Sequence, residues 1–299
     1  MGFTWIKEIH GGLIEMDTEK MNNKMSIMII GYDGYSDLWN TCISLIKKFW
    51  DDCPYEILFI NNVKDVSWDG VKTIHAGLEA EWSRKVQIGL QNTSSNYICL
   101  LLEDFFVGSR ICTTDVEMLL KIMIDNKTDY MKLVDMNEPI KSREDSIIEC
   151  KDIHRIKNSD YYGISLQPSI WNRAYLISLL GTDNYNAWIF EKNRVDESDS
   201  KDDTYRKNAL FDTRNILNIK HGVIRGKLLP GTIQYFTEIG IPLNIDREIM
   251  PKTDYIKIRA VAFAKNIVPK RIRKRIKEIL RNNGMKFLST ESEKRQIQK

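Results

Sequence analysis

Two adjacent acids, Glu103 and Asp104, directly follow a run of six apolar residues, Tyr97–Leu102 (YICLLL). Carboxylates at the end of a buried strand are costly to desolvate unless they contact a cation or hydrogen-bond donors. A divalent ion such as Mg²⁺ or Mn²⁺, held by a carboxylate and by phosphate oxygens, would supply that cation and neutralise charge on a diphosphate. We therefore predict a functional site here, with both acids as candidate metal ligands and Asp104 as a catalytic residue. The alternative is a pair of solvated loop acids.

A third acid, Glu191, follows two aromatic side chains in the segment Trp188–Glu191 (WIFE). The sequence predicts that this segment lies in a polar loop between Gly181 and Asp203. A carboxylate held beside apolar rings has a raised pKa, which suits a general base. We predict that Glu191 is catalytic. In the alternative, the aromatic rings pack the loop and Glu191 points to water.

Several basic residues and one histidine are further candidates. His221, in the segment NIKHGVIRGK, could ligate a metal, although a single histidine is more often structural. Arg225 and Lys227, in the same segment, are candidate diphosphate ligands or solvated surface charges. Arg84 lies off the apolar stripe of its predicted helix and could reach a binding crevice, whereas Trp82 lies on the stripe and is expected in the core. A surface role is the alternative for Arg84.

The elements that would position these residues are clearest in the first half of the chain. Strands are predicted at 25–30 (MSIMII), 55–60 (YEILFI), 71–74 and 97–102, with helices between them that start near 36 and 78. Alternation of strands and helices over about 80 residues predicts an α/β fold with a mostly parallel central sheet and helices on both faces. In such sheets ligands bind at the carboxyl ends of strands. Asp33, Asn61, Asn62 and the Glu103–Asp104 pair stand at those ends.

The second half gives weaker signals. A capping box at Thr114 and Glu117 predicts the start of a helix. Further predictions are a strand at 130–134, a polar loop at 138–160, a strand at 163–166, a helix at 172–180 and a helix at 233–239 that ends at Gly240.

Composition limits the class of protein. The chain has 299 residues, 42% of them hydrophobic, which is enough for one large core or one core with a small appendage. Its five cysteines form no CxxC pair, so neither a disulfide framework nor a zinc site is indicated, and a reducing compartment fits best. Residues 1–24 lack the pattern of a secretory signal and are predicted to be a flexible leader. No stretch approaches the roughly 18 apolar residues of a membrane span.

Charge is distributed unevenly along the chain. Residues 252–286 contain twelve Lys or Arg and two acids, a net charge of +10, and residues 287–299 add +1. The total is +3, so residues 1–251 carry 3 − 10 − 1 = −8. An acidic body with one basic segment does not indicate a nucleic-acid-binding face. We predict that residues 251–299 form a basic helical segment that lies on anionic lipid, with a solvated helix or an RNA-binding arm as alternatives.

Four segments, in this order, resemble bacterial GT-A-type glycosyltransferases of capsule and O-antigen (cell-surface polysaccharide) biosynthesis. They are MIIGYDGYSDLWNTCISLIKKFWDDCPYEILFINN, EWSRKVQIGLQNTSSNYICLLLEDFF, GISLQPSIWNRAYLISLLGTDNYNAWIFE and HGVIRGKLLPGTIQYFTEIGI, which together run from about Met25 to Ile241. The resemblance implies a GT-A-like (Rossmann-like) catalytic domain over 25–250. Its nucleotide-binding half would be about 25–135 and its acceptor half about 136–250.

The resemblance also implies roles for individual residues. Asp33 and Asn61 would lie near the base and ribose of a nucleotide-sugar donor, most simply a UDP-sugar. The adjacent Asn62, at the same strand end, is a further candidate for donor binding. Glu103 and Asp104 would stand at the donor diphosphate, and Glu191 would deprotonate the acceptor hydroxyl, which predicts inversion at the anomeric carbon. The sequence departs from a strict Asp-x-Asp pattern here, which leaves metal dependence open.

Partners and location follow from the same resemblance and from the basic segment. The expected acceptor is a saccharide or a lipid-linked saccharide. The expected location is cytoplasmic, on the inner-membrane surface through the basic C-terminus, without nucleic acid as a partner.

Two other classes of protein are alternatives. A nucleotidyltransferase could use the same crevice, but it would normally carry a Gly-rich loop with Lys or Arg after the first strand, and GYDGYSDLW has no basic residue. A non-catalytic membrane-associated assembly protein would need neither acidic strand end and should bind no donor.

Overall fold

The computed structural model describes residues 24–134, 150–160, 162–198, 202, 204–258 and 275, together with the backbone of 8–9, 12–13 and 146–147. The predicted leader, 1–24, therefore lies outside the described residues except for Lys24 and two short strands, Glu8–Ile9 and Gly12–Leu13, which pair with each other. Of the predicted basic segment, residues 252–258 are helical, and the rest lies outside the description apart from Arg275.

The strands are β1 (Met25–Ile30), β2 (Glu56–Asn61), β3 (Val71–His75), β4 (Tyr97–Leu102), β5 (Phe105–Val107), β6 (Tyr130–Lys132), β7 (Ser146–Ile147), β8 (Cys150–Lys157), β9 (Ser169–Asn172), β10 (Tyr205–Asp212), β11 (Ile219–His221), β12 (Val223–Ile224) and β13 (Lys227–Leu228). The helices are α1 (Ser36–Phe49), α2 (Trp82–Gln91), α3 (Thr113–Asp125), α4 (Arg173–Leu180), α5 (Ala187–Asp196) and α6 (Pro230–Glu238). A 3₁₀ turn, Asp33–Tyr35, leads into α1.

Nine strands form one sheet in the order β3-β2-β1-β4-β9-β6-β10-β8-β7. Seven of the nine run in one direction, and β9 and β8 are reversed. The predicted α/β class with a mostly parallel central sheet is therefore confirmed. The order reverses between β1 and β4, and such a switch point is where open α/β sheets bind ligands. Because β9 lies between β4 and β6, the two predicted halves of the domain share this sheet.

Alternate residues of β1 pack on opposite faces of the sheet, which is why a fully apolar run forms a central strand. Met25, Ile27 and Ile29 belong to one core cluster, and Met28 and Ile30 belong to the other. Buried residues of α1, α3 and α6 join the first cluster, and those of α2, α4 and α5 join the second. Helices thus cover both faces, as predicted.

The structure corrects several predictions in the second half. The stretch from Gly181 to Asp203 is not all loop, because α5 begins after Asn186, whose side chain accepts a hydrogen bond from Ile189 N–H. That N-cap signal was present, but α5 has no clear apolar stripe to reveal it. Residues 163–166 do not form the predicted strand, and the strand in this part of the chain is β9.

The polar stretch 138–160 also contains a strand, β8, within its described part. Ile153 and Ile156 are its buried apolar residues, and their spacing is not that of regular alternation. A register shift between Arg155 and Lys157 accounts for this, because it changes which side chains face the core. The sequence of β8 therefore lacks the regular alternation of apolar and polar residues that predicts a strand.

The predicted capping box does not form. The helix α3 begins at Thr113, with Cys112 at the N-cap and no side-chain cap hydrogen bond, and Glu117 is buried inside the helix. Among the described residues, none of the helices combines the length and the hydropathy that a membrane crossing requires.

Candidate active site

The peptide unit that joins Gly31 to Tyr32, directly after β1, is held from two sides. Lys85 Nζ, on α2, donates to the Gly31 carbonyl at 2.8 Å, and Glu103 Oε1, after β4, accepts from Tyr32 N–H at 3.1 Å. A Cβ atom at position 31 would lie 2.6 Å from the ring of Phe59, so the close approach to β2 requires glycine. The loop at the switch point is thereby fixed by α2, β2 and β4.

Burial determines the charge of Glu103. The residue is only 6% exposed. Burial and, to a lesser extent, the charge of Asp104 raise its pKa to about 8, although Tyr32 N–H and Lys85 oppose the shift. Burial likewise lowers the pKa of Lys85, which the charges of Glu103 and Asp33 oppose. At neutral pH Glu103 is therefore mostly protonated, and its observed contact is with the loop.

Asp104 has different surroundings from Glu103. It is partly exposed, and its backbone carbonyl accepts from Gly222 N–H at 2.7 Å. Burial raises the pKa of its carboxyl to about 6, and the N–H of Val223 and the charge of Arg247 oppose that shift. Asp104 is thus mostly ionised at neutral pH and is the accessible anion of the pair.

His221 lies opposite Phe105 in the pairing of β11 with β5, and the two rings meet edge-on at 4.7 Å between centroids. Burial lowers the pKa of His221 to about 4, so the imidazole is neutral, and its Nε2 has no partner among the described residues. Within the described part of the chain, no three His, Cys, Asp or Glu side chains are arranged to hold a metal ion. Metal binding by Glu103, Asp104 or His221 therefore stays a prediction.

The carboxylate of Asp33 closes the loop that follows β2. Oδ1 accepts from Asn62 N–H at 2.9 Å and from Asn61 Nδ2 at 3.3 Å, and Oδ2 accepts from the N–H groups of Val63 and Lys64 at 3.0 and 2.9 Å. Burial raises the pKa of Asp33, but these donors outweigh it and bring the pKa below its ordinary value. Asp33 thus positions this loop, and its contact with a nucleotide stays a prediction.

The two asparagines connect the ends of β2 and β3. Asn61 is fully buried, and its Oδ1 lies 2.9 Å from Nδ1 of His75. Asn62 Nδ2 donates to the carbonyls of Gly77, Leu78 and Ala80. Asp33, Asn61 and Asn62 therefore do lie together, as their places at adjacent strand ends predict. His75 was not predicted from the sequence as part of this cluster, although it ends a strand beside these residues.

The basic residue of α2 that reaches the switch point is Lys85. Arg84 is exposed, and its guanidinium donates to Gln87 Oε1 at 3.3 Å on the same helix. Trp82 is buried, as predicted. The apolar stripe assigned Trp82 correctly, but it did not show that a lysine amine could be drawn inside by the carbonyl of Gly31.

The other two predicted cations lie on the hairpin formed by β12 and β13. Arg225 is exposed at its tip with φ of 52°, and Gly226 follows with φ of 78°, a pair of values typical of tight hairpin turns. Lys227 Nζ forms an ion pair with Glu248 Oε1 at 2.7 Å. Diphosphate binding by Arg225 and Lys227 stays a prediction.

Arg247 is a second cation that the sequence analysis missed. Its guanidinium donates to both carboxylate oxygens of Asp37 at 2.8 and 2.6 Å, and it lies 4.2 Å from the ring centroid of Tyr35. It also donates to Gly226 O at 3.3 Å. Arg247 thus holds the segment after α6 against the start of α1, and its charge acts on Asp104.

Glu191 lies on α5 rather than in a loop, and it does not point freely to water. Its Oε1 accepts from Leu166 N–H at 3.1 Å. Burial raises its pKa, while that N–H and Lys132 oppose the shift, so the predicted direction is confirmed. Leu166 precedes β9, whose first residue, Ser169, is opposite Leu100 of β4. Glu191 is therefore at the same edge of the sheet as Glu103 and Asp104.

No protein-family model and no curated protein sequence match this chain. Among solved structures, S. aureus TarS has 11% sequence identity and a TM-score of 0.37, over 64% of this chain and 36% of TarS. TarS 1–349 in complex with UDP-GlcNAc has 10% identity and a TM-score of 0.38, over 81% of this chain and 71% of that one. A cytidylyltransferase from Leptospira borgpetersenii has 10% identity and a TM-score of 0.36, over 62% and 81% of the two chains.

This chain thus spans about a third, 36%, of the length of the longer TarS chain. The TM-scores are too low for these likenesses to carry an argument about this chain. Its fold class follows from its own strand order.

Proposed function

We propose that this chain is a glycosyltransferase of the GT-A type. It would move a sugar from a nucleotide-sugar donor, a UDP-sugar foremost, to a hydroxyl of a saccharide or lipid-linked saccharide. The observation that carries the proposal is the presence of Asp104 and Glu191 at one edge of the sheet. The first is an ionised acid at the switch point, and the second is an acid whose raised pKa suits proton abstraction.

The proposed reaction is a single displacement. The acceptor oxygen attacks the anomeric carbon and loses its proton to the carboxylate of Glu191, while the bond between that carbon and the diphosphate oxygen breaks. The sugar is transferred with inversion, and the nucleoside diphosphate leaves. Lys85 and Glu103 keep the loop after β1 in place during these steps, since they hold both sides of one of its peptide units.

A divalent ion is compatible with this site although the described residues form no metal-binding cluster of three or more protein ligands. Mg²⁺ commonly uses one or two carboxylates and takes its other ligands from substrate phosphates and water. Asp104 is the acid suited to hold it, because Glu103 is mostly protonated at neutral pH. When bound, Mg²⁺ or Mn²⁺ would stabilise the charge of the leaving diphosphate.

The cellular role is also part of the proposal. The resemblance of the four sequence segments supports synthesis of a capsule or lipopolysaccharide. The net charge of +10 over residues 252–286 supports a peripheral position on the cytoplasmic face of the inner membrane. A lipid-linked acceptor would be presented at that surface.

Calorimetric titration with UDP, GDP and CDP, with and without Mn²⁺, tests the proposal directly. We expect UDP to bind with a Kd between about 1 µM and 1 mM and Mn²⁺ to strengthen this binding. Asp104→Ala should reduce the gain in UDP affinity that Mn²⁺ produces. Absence of binding by all three nucleotides would overturn the proposal and favour a non-catalytic assembly protein. Release of pyrophosphate from CTP in the presence of sugar phosphates would instead identify a nucleotidyltransferase.

A further inference from the structure

Trp188 is the most exposed of the described tryptophans. It is 54% exposed, while Trp39, Trp50, Trp82 and Trp171 are each 6% exposed or less. An indole of this size in water is a large apolar surface with one polar N–H, which is a common composition for a binding surface. Single exposed apolar residues are ordinary on protein surfaces, and it is the position of Trp188 that distinguishes it.

That position is one helical turn before Glu191. Residues three apart on a helix are neighbours on its surface, separated by about 4.5 Å along the axis. Trp188 and Glu191 therefore lie on one side of α5. Phe190, between them, points inward and is fully buried, with its ring 4.9 Å from that of Trp82. The helix thus presents an indole beside the acid whose pKa is raised.

The segment that precedes Trp188 is fixed to the start of α2. Ser83 N–H donates to Tyr185 O at 2.9 Å, Ser83 Oγ donates to Asp183 O at 2.8 Å, and Tyr185 N–H donates to Ser83 Oγ at 2.8 Å. Asn184 adds two bonds, accepting from Glu81 N–H and donating to Glu79 O. Because α2 also carries Lys85, one rigid frame holds both Trp188 and the loop at the switch point.

We propose that the indole of Trp188 is the platform on which a sugar ring of the acceptor stacks, so that the acceptor class is a saccharide bound through an apolar ring face. This inference rests on the proposed function. The C–H face of a pyranose would lie against the indole, and a hydroxyl of that ring or of the next one would point to Glu191. Stacking on a rigid aromatic side chain costs little conformational entropy, which makes tryptophan suitable for a mobile saccharide.

The test is retention of the full-length protein on a printed array of bacterial surface glycans in the presence of UDP. We expect the native protein to retain a subset of glycans, Trp188→Ala to weaken binding to that subset by about tenfold or more, and Trp188→Phe to keep most of it. The matched control is Tyr205→Ala, which removes another exposed ring (40% exposed) at the start of β10, at the opposite edge of the sheet.

Equal glycan binding by Trp188→Ala and the native protein would overturn the inference, as would a native protein that retains no glycan. If Trp188→Ala instead lost binding to phosphatidylglycerol vesicles and kept glycan binding, the indole would be a membrane anchor and the inference would again be wrong. The UDP titration is measured on the same variants. If UDP binds and the glycan result is negative, this inference fails while the proposed function stands, and if no nucleotide binds, the proposed function itself fails.

Discussion

Glu103 and Asp104 are adjacent and carry the same functional group, but their surroundings give them different chemistry. Glu103 is buried, accepts a hydrogen bond from Tyr32 N–H and has a pKa of about 8. Asp104 is partly exposed, with a pKa of about 6. Glu103 therefore positions the loop, and Asp104 is the acid that we propose for contact with the donor diphosphate.

This assignment predicts the behaviour of Glu103→Gln. The folded protein holds a proton on Glu103 up to a pKa of about 8, whereas the ordinary pKa is 4.5. Between these values the folded state binds more protons than the unfolded one, so this group's contribution to stability is lost as pH rises. Glutamine keeps the acceptor for Tyr32 N–H without titrating. The Tm of the variant relative to the native protein should rise from about pH 5 to about pH 8.5.

Thermal unfolding of the native protein and of Glu103→Gln at about pH 5 and about pH 8.5 measures this difference in Tm. Glu103→Gln should also retain sugar transfer. Asp104→Asn is the control, since it removes the accessible anion and should lose transfer without a comparable rise in Tm. An unchanged Tm difference across the pH range would show that Glu103 is ionised in the folded protein.

Glu191 gives a second prediction at the scale of the residue. Replacing a general base typically lowers the rate by about 10²–10⁴-fold, and we expect Glu191→Gln to fall in this range with unchanged UDP affinity. Because burial raises the pKa of Glu191 above 4.5, transfer by the native protein should decline as pH falls through a value higher than 4.5. In Glu191→Gln the pH profile of kcat/KM should no longer show this decline at low pH. Full activity of Glu191→Gln would exclude the proposed base.

At the scale of the element, α2 connects the two parts of the site. Its buried lysine holds the loop after β1, and its first residues hold the segment before α5. A change in the packing of α2 would therefore displace the loop after β1 and the segment before α5 together. The apolar stripe of α2 fixes its rotation, and that rotation determines which of two neighbouring basic residues is turned inward.

Lys85→Met and Arg84→Met form a matched pair that tests this. Loss of the bond from Lys85 Nζ leaves the Gly31 carbonyl without its partner, so we expect the free energy of unfolding to fall by about 1–3 kcal/mol. Arg84 is exposed, and its replacement should change that free energy by less than about 0.5 kcal/mol. Denaturant titration compares the two. If the two variants lose equal stability, the inward position of Lys85 is wrong. A large loss of UDP affinity in Arg84→Met would restore Arg84 as a nucleotide ligand.

At the scale of the whole molecule, charge separates an acidic body from a basic C-terminal segment. Of this segment only the part up to residue 258 and Arg275 are described, so its association with lipid is a prediction from sequence. Each cation near an anionic membrane contributes about 1 kcal/mol. The attraction is electrostatic and should weaken with salt.

We expect replacement of five cations, Lys270, Arg271, Arg273, Lys274 and Arg275, with glutamine to weaken binding to phosphatidylglycerol vesicles by at least about 100-fold. Vesicle co-sedimentation at low and high salt measures the effect, and neutral phosphatidylcholine vesicles are the control. Binding that does not respond to these replacements or to salt would refute an electrostatic anchor. UDP affinity should stay unchanged, because the site lies within the sheet domain.

The amino-acid sequence determined the local features of this protein. The apolar runs of β1, β2 and β4 have no alternative to burial, and the polar residues that follow them had to meet at one edge of a parallel sheet. For the same reason the meeting of Asp33 with Asn61 was predictable. The direction of the pKa shift of Glu191 was also predictable, from the apolar side chains beside it in the sequence.

Tertiary structure alone decided the rest. Arg247 and Asp37 are 210 residues apart, and no local period relates them. The bond from Lys85 Nζ to the Gly31 carbonyl joins residues 54 positions apart and depends on how α2 packs against the loop after β1. The different protonation of Glu103 and Asp104 depends on water access, which neighbouring elements control. Such properties arise from distances between segments remote in sequence, and composition, spacing and periodicity do not encode those distances.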